Sequence, residues 1–565
     1  MDENISCGFS ATSSVQDGMK KVLPTQILDP SKCETNVTIG VFFDGTNNNR
    51  DESYDSKGHS NIARLSDSYP RNEDAGFFRV YVPGVGTPFD RINDDGESVK
   101  GGAFGVGCEQ RVLFGLLSMF DSIHRRVYKA ENFFSGRQIA LLCESGKPSG
   151  EEAKKEIAKL NVSSGLRECN KEDRINFLKT QAAALQKKIT RPGNVVVKEV
   201  YVDVFGFSRG AAQARVFLTW FSELLEGGKF AGLTVELRFL GIFDTVVSFG
   251  VLDGLLGGAA NYTAPHIGWA KAENLKVPSA VKNCVHLIAM HELRKNFPLD
   301  YLRRYSTLPS NHIEAAYPGS HSDVGGGYAP GELGISFGKN PMEGDSLKLS
   351  QIPLNHMFDY ARAAGVPLDK RLALSAGYDP FAVSAVLTKA FNEFLRESGT
   401  ASRPLREWMQ PYLNWRWQIR VNYGASLHMT RATAEDRSLL KASNQKLIRD
   451  ANLLLGCGNL KQAEKHVKSI VESSRKSAYD MTHAQISIEI PQFDSEAVKV
   501  VHDAKAAAPV SASLAYFFDN FIHDSLAGFR KDLVEQTGYW RYRKAFRGDD
   551  RPIFAANDEN KVDMA

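Results

Sequence analysis

Residues 199–215 read EVYVDVFGFSRGAAQAR. An alternating apolar strand runs into Gly206-Phe207-Ser208-Arg209-Gly210 and then into a small-residue helix. Glycine two before and two after the serine permits a strand-to-helix turn too tight for side chains at those positions. The hydroxyl then projects outward and the next backbone N–H faces the same space. Ser208 is therefore the candidate nucleophile. Ala211, Ala212 and Ala214 suit close packing behind such a turn, and Val216, Phe217, Trp220 and Leu224 supply a buried stripe. A G-x-S-x-G string alone arises by chance and can be an ordinary βα turn; the strand before it and the helix after it favour the functional reading.

Outward from this turn, the first strong strand is NVTIGVFF at 36–43, ending in Asp44-Gly45-Thr46-Asn47-Asn48-Asn49. Phe78 to Val82 is a second strand, closed by Pro83-Gly84-Val85-Gly86-Thr87. Turns of this composition after buried strands place backbone N–H groups at the carboxyl edge, where open α/β sheets hold ligands. Helical periodicity takes over from Glu109 to about Lys188, an insertion placed at about 101–190. Strands resume at 195–205, 234–243, 283–290 and 312–317. The alternation predicts an α/β fold with a doubly wound, mostly parallel sheet. A polar leader is expected over 1–35, the catalytic unit over 36–345, and a mainly helical region over 346–565. That region includes helices at 353–364, 380–397, 434–455 and 460–476, a strand-like piece at 484–490 and a last helix at about 511–529.

The 565-residue chain is 42% hydrophobic, enough for one large core and a substantial further region. Sixty-nine basic and 66 acidic residues give a net charge of +3, which argues against a nucleic-acid surface. Seven cysteines are scattered without a C-x-x-C pair, so neither a disulfide framework nor a zinc site is expected. The first residues lack an apolar core of signal-peptide length, which predicts that any export uses another machine. Leu237 to Ala260, the most hydrophobic stretch, contains Asp244, Asp253 and many glycines and does not suit a membrane-spanning helix.

A serine hydroxyl needs a histidine to take its proton, and that histidine needs a carboxylate to fix its tautomer and stabilise its charge. His321, in HSDVGGGY directly after the strand at 312–317, is the candidate base; His523 is the rival, read as a buried histidine of the last helix. In α/β-hydrolases the three follow in the order serine, acid, histidine. Asp244, ending GIFD, and Asp253, in VLDGLLGG, both satisfy that order, and order alone does not choose. The oxyanion hole is assigned to the backbone N–H of Arg209 and to the turn at Gly45 and Thr46. Asp44 lacks companion acids at coordinating spacing, so no metal and no cofactor are expected. Phe249 to Leu256, spaced by glycines, reads either as a movable apolar lid or as a buried loop.

FFDGTNNN at 42–49, SNIARL at 60–65, YVPGVGT at 81–87, GFSRGAAQAR at 206–215, GIFDTV at 241–246 and HSDVGGGY at 321–328 together resemble an α/β-hydrolase family of lipases. That family includes the type VI secretion lipase effectors of the phospholipase A class, and the likeness covers roughly 36–365. It implies a serine hydrolase that attacks phospholipids of a rival bacterium from the periplasm. It also implies delivery without a signal peptide on a secretion spike protein, and a cognate immunity protein in the producer. The family's acid lies in the loop after GIFDTV, which moves the preference slightly from Asp244 to Asp253. The helical remainder resembles the family's additional module for cap, membrane or delivery contacts. A soluble carboxylesterase and an inert binding or delivery module are the competing readings.

Overall fold

The computed structural model describes residues 4–7, 19–96, 106–247, 268–302, 308–466, 468–469, 493–528, 538–547 and 551–553. Its strands are β1 (Asn4–Cys7), β2 (Glu34–Phe43), β3 (Phe77–Val82), β4 (Val196–Phe207), β5 (Lys229–Phe230) and β6 (Leu233–Phe243). They continue with β7 (Cys284–Ala289), β8 (Leu299–Tyr301), β9 (His312–Tyr317), β10 (Arg403–Pro404), β11 (Ala545–Arg547) and β12 (Arg551–Ile553). The main sheet runs β10-β1-β9-β7-β6-β4-β2-β3, with β5 attached to β6. All pairings in it are parallel except β1 with β10 and β5 with β6. It is the α/β fold expected from the alternation of strands and helices.

The strand period of two decides which side chains meet which layer. β2 sends Val37, Ile39, Val41 and Phe43 to one core, and β4 adds Val200, Val202 and Val204 to it. Phe42, Phe205 and Phe207 go to the other. The first face is covered by the helices Val106–Tyr128 and Arg209–Ser222, the second by Asn61–Asp67 and Gln351–Ala363. Burial on both faces is why these strands read as almost continuous apolar runs.

β2 pairs with β3 on one side and β4 on the other, and from β4 the chain winds through β6, β7 and β9 in one direction. The winding reverses between β2 and β4. In open α/β sheets the ligand crevice lies beyond the carboxyl ends at such a reversal. The Asp44–Thr46 turn ends β2 there, and Ser208 ends β4.

The helices beyond residue 346 are continuous with this core. Phe391, Phe394, Trp408, Met409 and Phe518 share one apolar cluster with Val285, Leu287 and Tyr317 of the sheet. A second sheet, β12-β11-β8, returns the chain near Ala545 to the strand that follows β7, with β11 parallel to β8. No helix among the described residues is long and apolar enough to cross a membrane.

The structure departs from the sequence reading in several places. The leader contributes β1, which pairs with the open edge of β9; an unpaired edge offers backbone groups that another strand satisfies. Lys20 N–H donates to Asn283 Oδ1 at 2.7 Å and Thr25 N–H to Glu199 Oε2 at 3.1 Å, strapping the following residues to the sheet. The mainly helical region also holds the helix Leu405–Ile419, not singled out from the sequence because Pro411 inside it hides the pattern that Trp408, Tyr412 and Leu413 bury. The last helix stops at Phe521, because His523 N–H donates to Asp323 at 3.1 Å instead of to the helix. The strand-like piece at 484–490 and the loop at 249–256 lie outside the described residues.

One buried ion network ties the SNIARL helix to the later region. Arg64 sets its fork on Asp345, with N···O distances of 2.7 and 2.8 Å, and Lys348 Nζ reaches the same carboxylate at 2.8 Å. Burial by itself pushes the Asp345 carboxyl up, but the charges of Arg64 and Lys348 override it and hold it well below the usual carboxylate range. Asp345→Ala leaves two buried cations without their counter-charge, and urea denaturation is expected to show a loss of about 3–5 kcal/mol at neutral pH. The wild-type advantage exists above the unfolded carboxylate value and fades as pH falls toward the lowered folded one. The gap between the two proteins should therefore narrow below about pH 4.

Candidate functional site

Ser208 follows β4 directly and has φ 59° and ψ −126°. For a non-glycine residue this conformation costs about 1–3 kcal/mol, and surrounding bonds must impose it. Ser208 N–H donates to Phe243 O at 3.1 Å, and Ser208 O accepts from Ala211 N–H at 3.1 Å and Val246 N–H at 3.3 Å. The flanking glycines have a steric cause. A Cβ on Gly206 would stand 2.4 Å from Gly210 O, and one on Gly210 would stand 2.3 Å from Phe43 O. The turn doubles back on β4 and presses against the end of β2, leaving no room for a methyl group.

Asp244 follows the adjacent strand β6 and also has a positive φ, 42°, which a short polar residue tolerates. Its N–H donates to Leu287 O at 2.8 Å, and its Oδ1 accepts from Ala289 N–H at 2.9 Å. Its Oδ2 is hydrogen-bonded to His321 Nδ1. His321 opens a short helix after β9, set by a capping box between Ser320 and Asp323. Its backbone N–H donates to Glu292 Oε2 at 3.1 Å. The imidazole lies against the rings of Phe207, at 4.5 Å between centroids, and Phe297, at 4.9 Å. With Nδ1 engaged by the carboxylate, Nε2 is the ring nitrogen left for proton transfer.

The electrostatics suit that division of labour. Burial would raise the Asp244 carboxyl, but the Arg543 charge and the His321 bond override it and keep it ionised far below the usual range. Burial pulls His321 below the ordinary imidazole value, and Asp244 opposes that only in part. Glu292, although buried, is brought down to about 2 by the Arg294 guanidinium beside it.

The Asp44–Thr46 turn sits against the same centre, since a Cβ on Gly45 would stand 2.5 Å from the Phe207 ring. Asp44 accepts from Gly45 N–H at 2.7 Å, Ser60 Oγ at 2.6 Å and Tyr81 Oη at 2.6 Å. Burial pushes its carboxyl up to about 6 against those bonds. It braces the turn. Gly45 thus spends its N–H on its neighbour's side chain, whereas the buried Thr46 Oγ1 has no partner among the described residues. Those residues hold no group of three or more His, Cys, Asp or Glu placed to bind a metal.

The fold therefore gathers Ser208, Arg209 at the first position of the helix behind it, Gly45, Thr46, Asp244 and His321 at one sheet edge. Asp253 lies outside the described residues. His523 is elsewhere engaged, with Nδ1 2.6 Å from Asp323 Oδ1 and its ring stacked on Tyr328 at 3.7 Å. Sequence reading missed the bracing residues. His286 Nε2 accepts from Thr245 N–H at 3.1 Å while its Nδ1 meets Glu314 Oε2 at 2.9 Å, fixing the residue after Asp244. Arg543 Nη1 and Nη2 donate to the two oxygens of Asp244 at 2.6 and 2.8 Å. Mid-strand His286 looks like a core residue, and Arg543 lies in a basic, aromatic stretch with no local motif.

The family model described as the catalytic domain of the type VI secretion phospholipase effectors, Tle1-like, matches residues 38–124 and 223–360. These segments contain Gly45, Thr46, Asp244, Asp253 and His321 and pass over Ser208. No curated protein matches the chain. A crystal structure of an uncharacterized protein from Pseudomonas aeruginosa superposes with a TM-score of 0.64 at 24% identity, over 93% of this chain and 80% of that one. That likeness shows the fold. The structure of the Tle1 effector bound to the VgrG spike of the type 6 secretion system gives a TM-score of 0.33 at 18% identity, over 72% of this chain and 88% of that one. On the family match, residues 38–124 and 223–360 are similar to the catalytic domain of the Tle1-like type VI secretion phospholipase effectors.

Proposed function

We propose that the chain hydrolyses acyl esters of membrane phospholipids, as a phospholipase A, with Ser208 as nucleophile, His321 as general base and Asp244 as the acid that orients it. The observation carrying this is the Asp244–His321 bond beside a strained serine on the neighbouring strand. Asp244 displaces Asp253 as the preferred acid because its carboxylate already holds Nδ1. Ser208 Oγ attacks the ester carbonyl carbon while His321 Nε2 takes its proton. The N–H groups of Arg209 and Thr46 stabilise the oxyanion, Gly45 being occupied. Collapse breaks the ester C–O bond, the lysophospholipid alkoxide leaves with the proton from His321, and water releases the fatty acid from the acyl-enzyme.

The family match supports an antibacterial role after secretion, with the target-cell periplasm as the place of action. The spike that binds the Tle1 effector suggests the equivalent carrier for this chain, and a toxic hydrolase calls for an immunity protein in the producer.

Fatty acid release from phospholipid vesicles tests the reading. Ser208→Ala is expected to lower it by a factor on the order of 10⁴ or more without unfolding the chain, and unchanged release would overturn the proposal. Faster turnover of monomeric short-chain esters than of vesicles would favour a soluble carboxylesterase.

Asp244→Asn is expected to reduce kcat by about 10³–10⁴-fold, and Asp253→Asn by less than about tenfold. The reverse order would return the acid to Asp253. Because His321 works unprotonated and burial lowers its value, kcat/KM should hold at neutral pH and fall only on acidification below about 6.5. An acid limb above the ordinary imidazole value would contradict the buried geometry.

A further inference from the structure

Asp244 has a partner that a serine, an acid and a histidine do not require. Each of its oxygens accepts from Arg543: Oδ1 also takes the Ala289 N–H, and Oδ2 also meets His321. Both side chains are fully buried. A carboxylate on a single bond can rotate, and a rotation that turns Oδ2 away from Nδ1 releases the imidazole. Two parallel N–H donors from a planar guanidinium fix the plane of the carboxylate as well as its charge.

Arg543 is itself held from several sides. Its Nε donates to Phe297 O at 2.8 Å and its Nη1 to Ala289 O at 3.2 Å, so it also anchors the loop that brings Phe297 against His321. Its backbone N–H donates to Met409 Sδ at 3.3 Å. The preceding residues are tied to the later helices, with Tyr539 N–H on Asp450 Oδ2 at 2.9 Å and Trp540 Nε1 on Leu447 O at 3.0 Å. The residues that follow form β11 on β8.

We infer that Arg543 is a positioning residue of the hydrolytic site, one that fixes the Asp244 carboxylate so that one oxygen stays aimed at His321. The inference rests on the triad of Ser208, His321 and Asp244 proposed above. The later helical region thereby supplies a part of the catalytic machinery as well as packing.

The charged groups around the pair define a pH signature. Asp244 faces Arg543 and His321. His321 faces Asp244 from the end of β6, and Glu292 and Arg294 from the loop after β7. Asp323, on its own short helix, is committed to His523 and Ser320. Without Arg543 the imidazolium becomes the main counter-charge of Asp244, which makes His321 more basic and moves the acid limb of kcat/KM to higher pH.

The test uses the full chain with Arg543→Lys and Arg543→Gln, hydrolysing phospholipid in mixed micelles, with rates expressed per site labelled by a fluorophosphonate. Arg543→Lys keeps a cation but loses the fork; kcat should fall about 10- to 100-fold with KM within about twofold. Arg543→Gln should add the upward shift of the acid limb. If Arg543→Gln fails to fold, judged by circular dichroism, the lysine variant decides. Wild-type kcat in Arg543→Lys, or a loss confined to KM, would overturn the inference. Activity surviving in Ser208→Ala would remove the triad reading itself, whereas an inactive Ser208→Ala beside a fully active Arg543→Lys would remove only the role given to Arg543.

Discussion

The site depends on how the ends of β4 and β6 are fastened to each other. Ser208 N–H donates to Phe243 O, and Val246 N–H returns a bond to Ser208 O, so two parallel strands continue to pair one residue past their regular ends. Ser208 and Asp244 both have positive φ at this junction. Ser208 and Asp244 thus stand side by side at the ends of neighbouring strands. Backbone strain is tolerable here because several bonds over-determine it. The next strands in the winding, β7 and β9, then bring the Ala289 N–H and His321 to the carboxylate.

A second constraint is that the site's polar groups are buried, which makes each one expensive unless satisfied. Asp44, Asp244 and Glu292 are each met by several donors, and cations balance the last two. The consequence reaches far along the chain. Arg64 and Arg543 each join a carboxylate to a region hundreds of positions away, and the apolar cluster that covers the β7 and β9 side of the sheet is completed by residues of the later helices. Catalytic sheet and helical region are stabilised together.

The strands, the tight turn at Ser208 and the place of His321 after a strand were legible because their causes are local. A period of two, two glycines around a serine, and a histidine directly after a strand are patterns that a few residues can carry. The bond between Asp244 and His321 Nδ1 was less legible, since it depends on a distance that no spacing encodes. Gly45 and Thr46 look alike as backbone donors in the sequence, and the bond from Gly45 N–H to Asp44 has no sequence signal. The helix Leu405–Ile419 was hidden by Pro411, and β1 by its four-residue length and polar surroundings in the sequence. His286 and Arg543 act through partners brought near only by the finished fold.

The reach of Arg543 also bears on biosynthesis. It lies 299 positions after the carboxylate it grips. A ribosome that has already released the serine, the acid and the histidine still has that arginine to make. Burying Asp244 before that arginine is in place would leave its carboxylate without the Arg543 charge, a state that folding disfavours. The bonds that hold the Asp244 carboxylate in its plane can therefore form only once translation has passed residue 543.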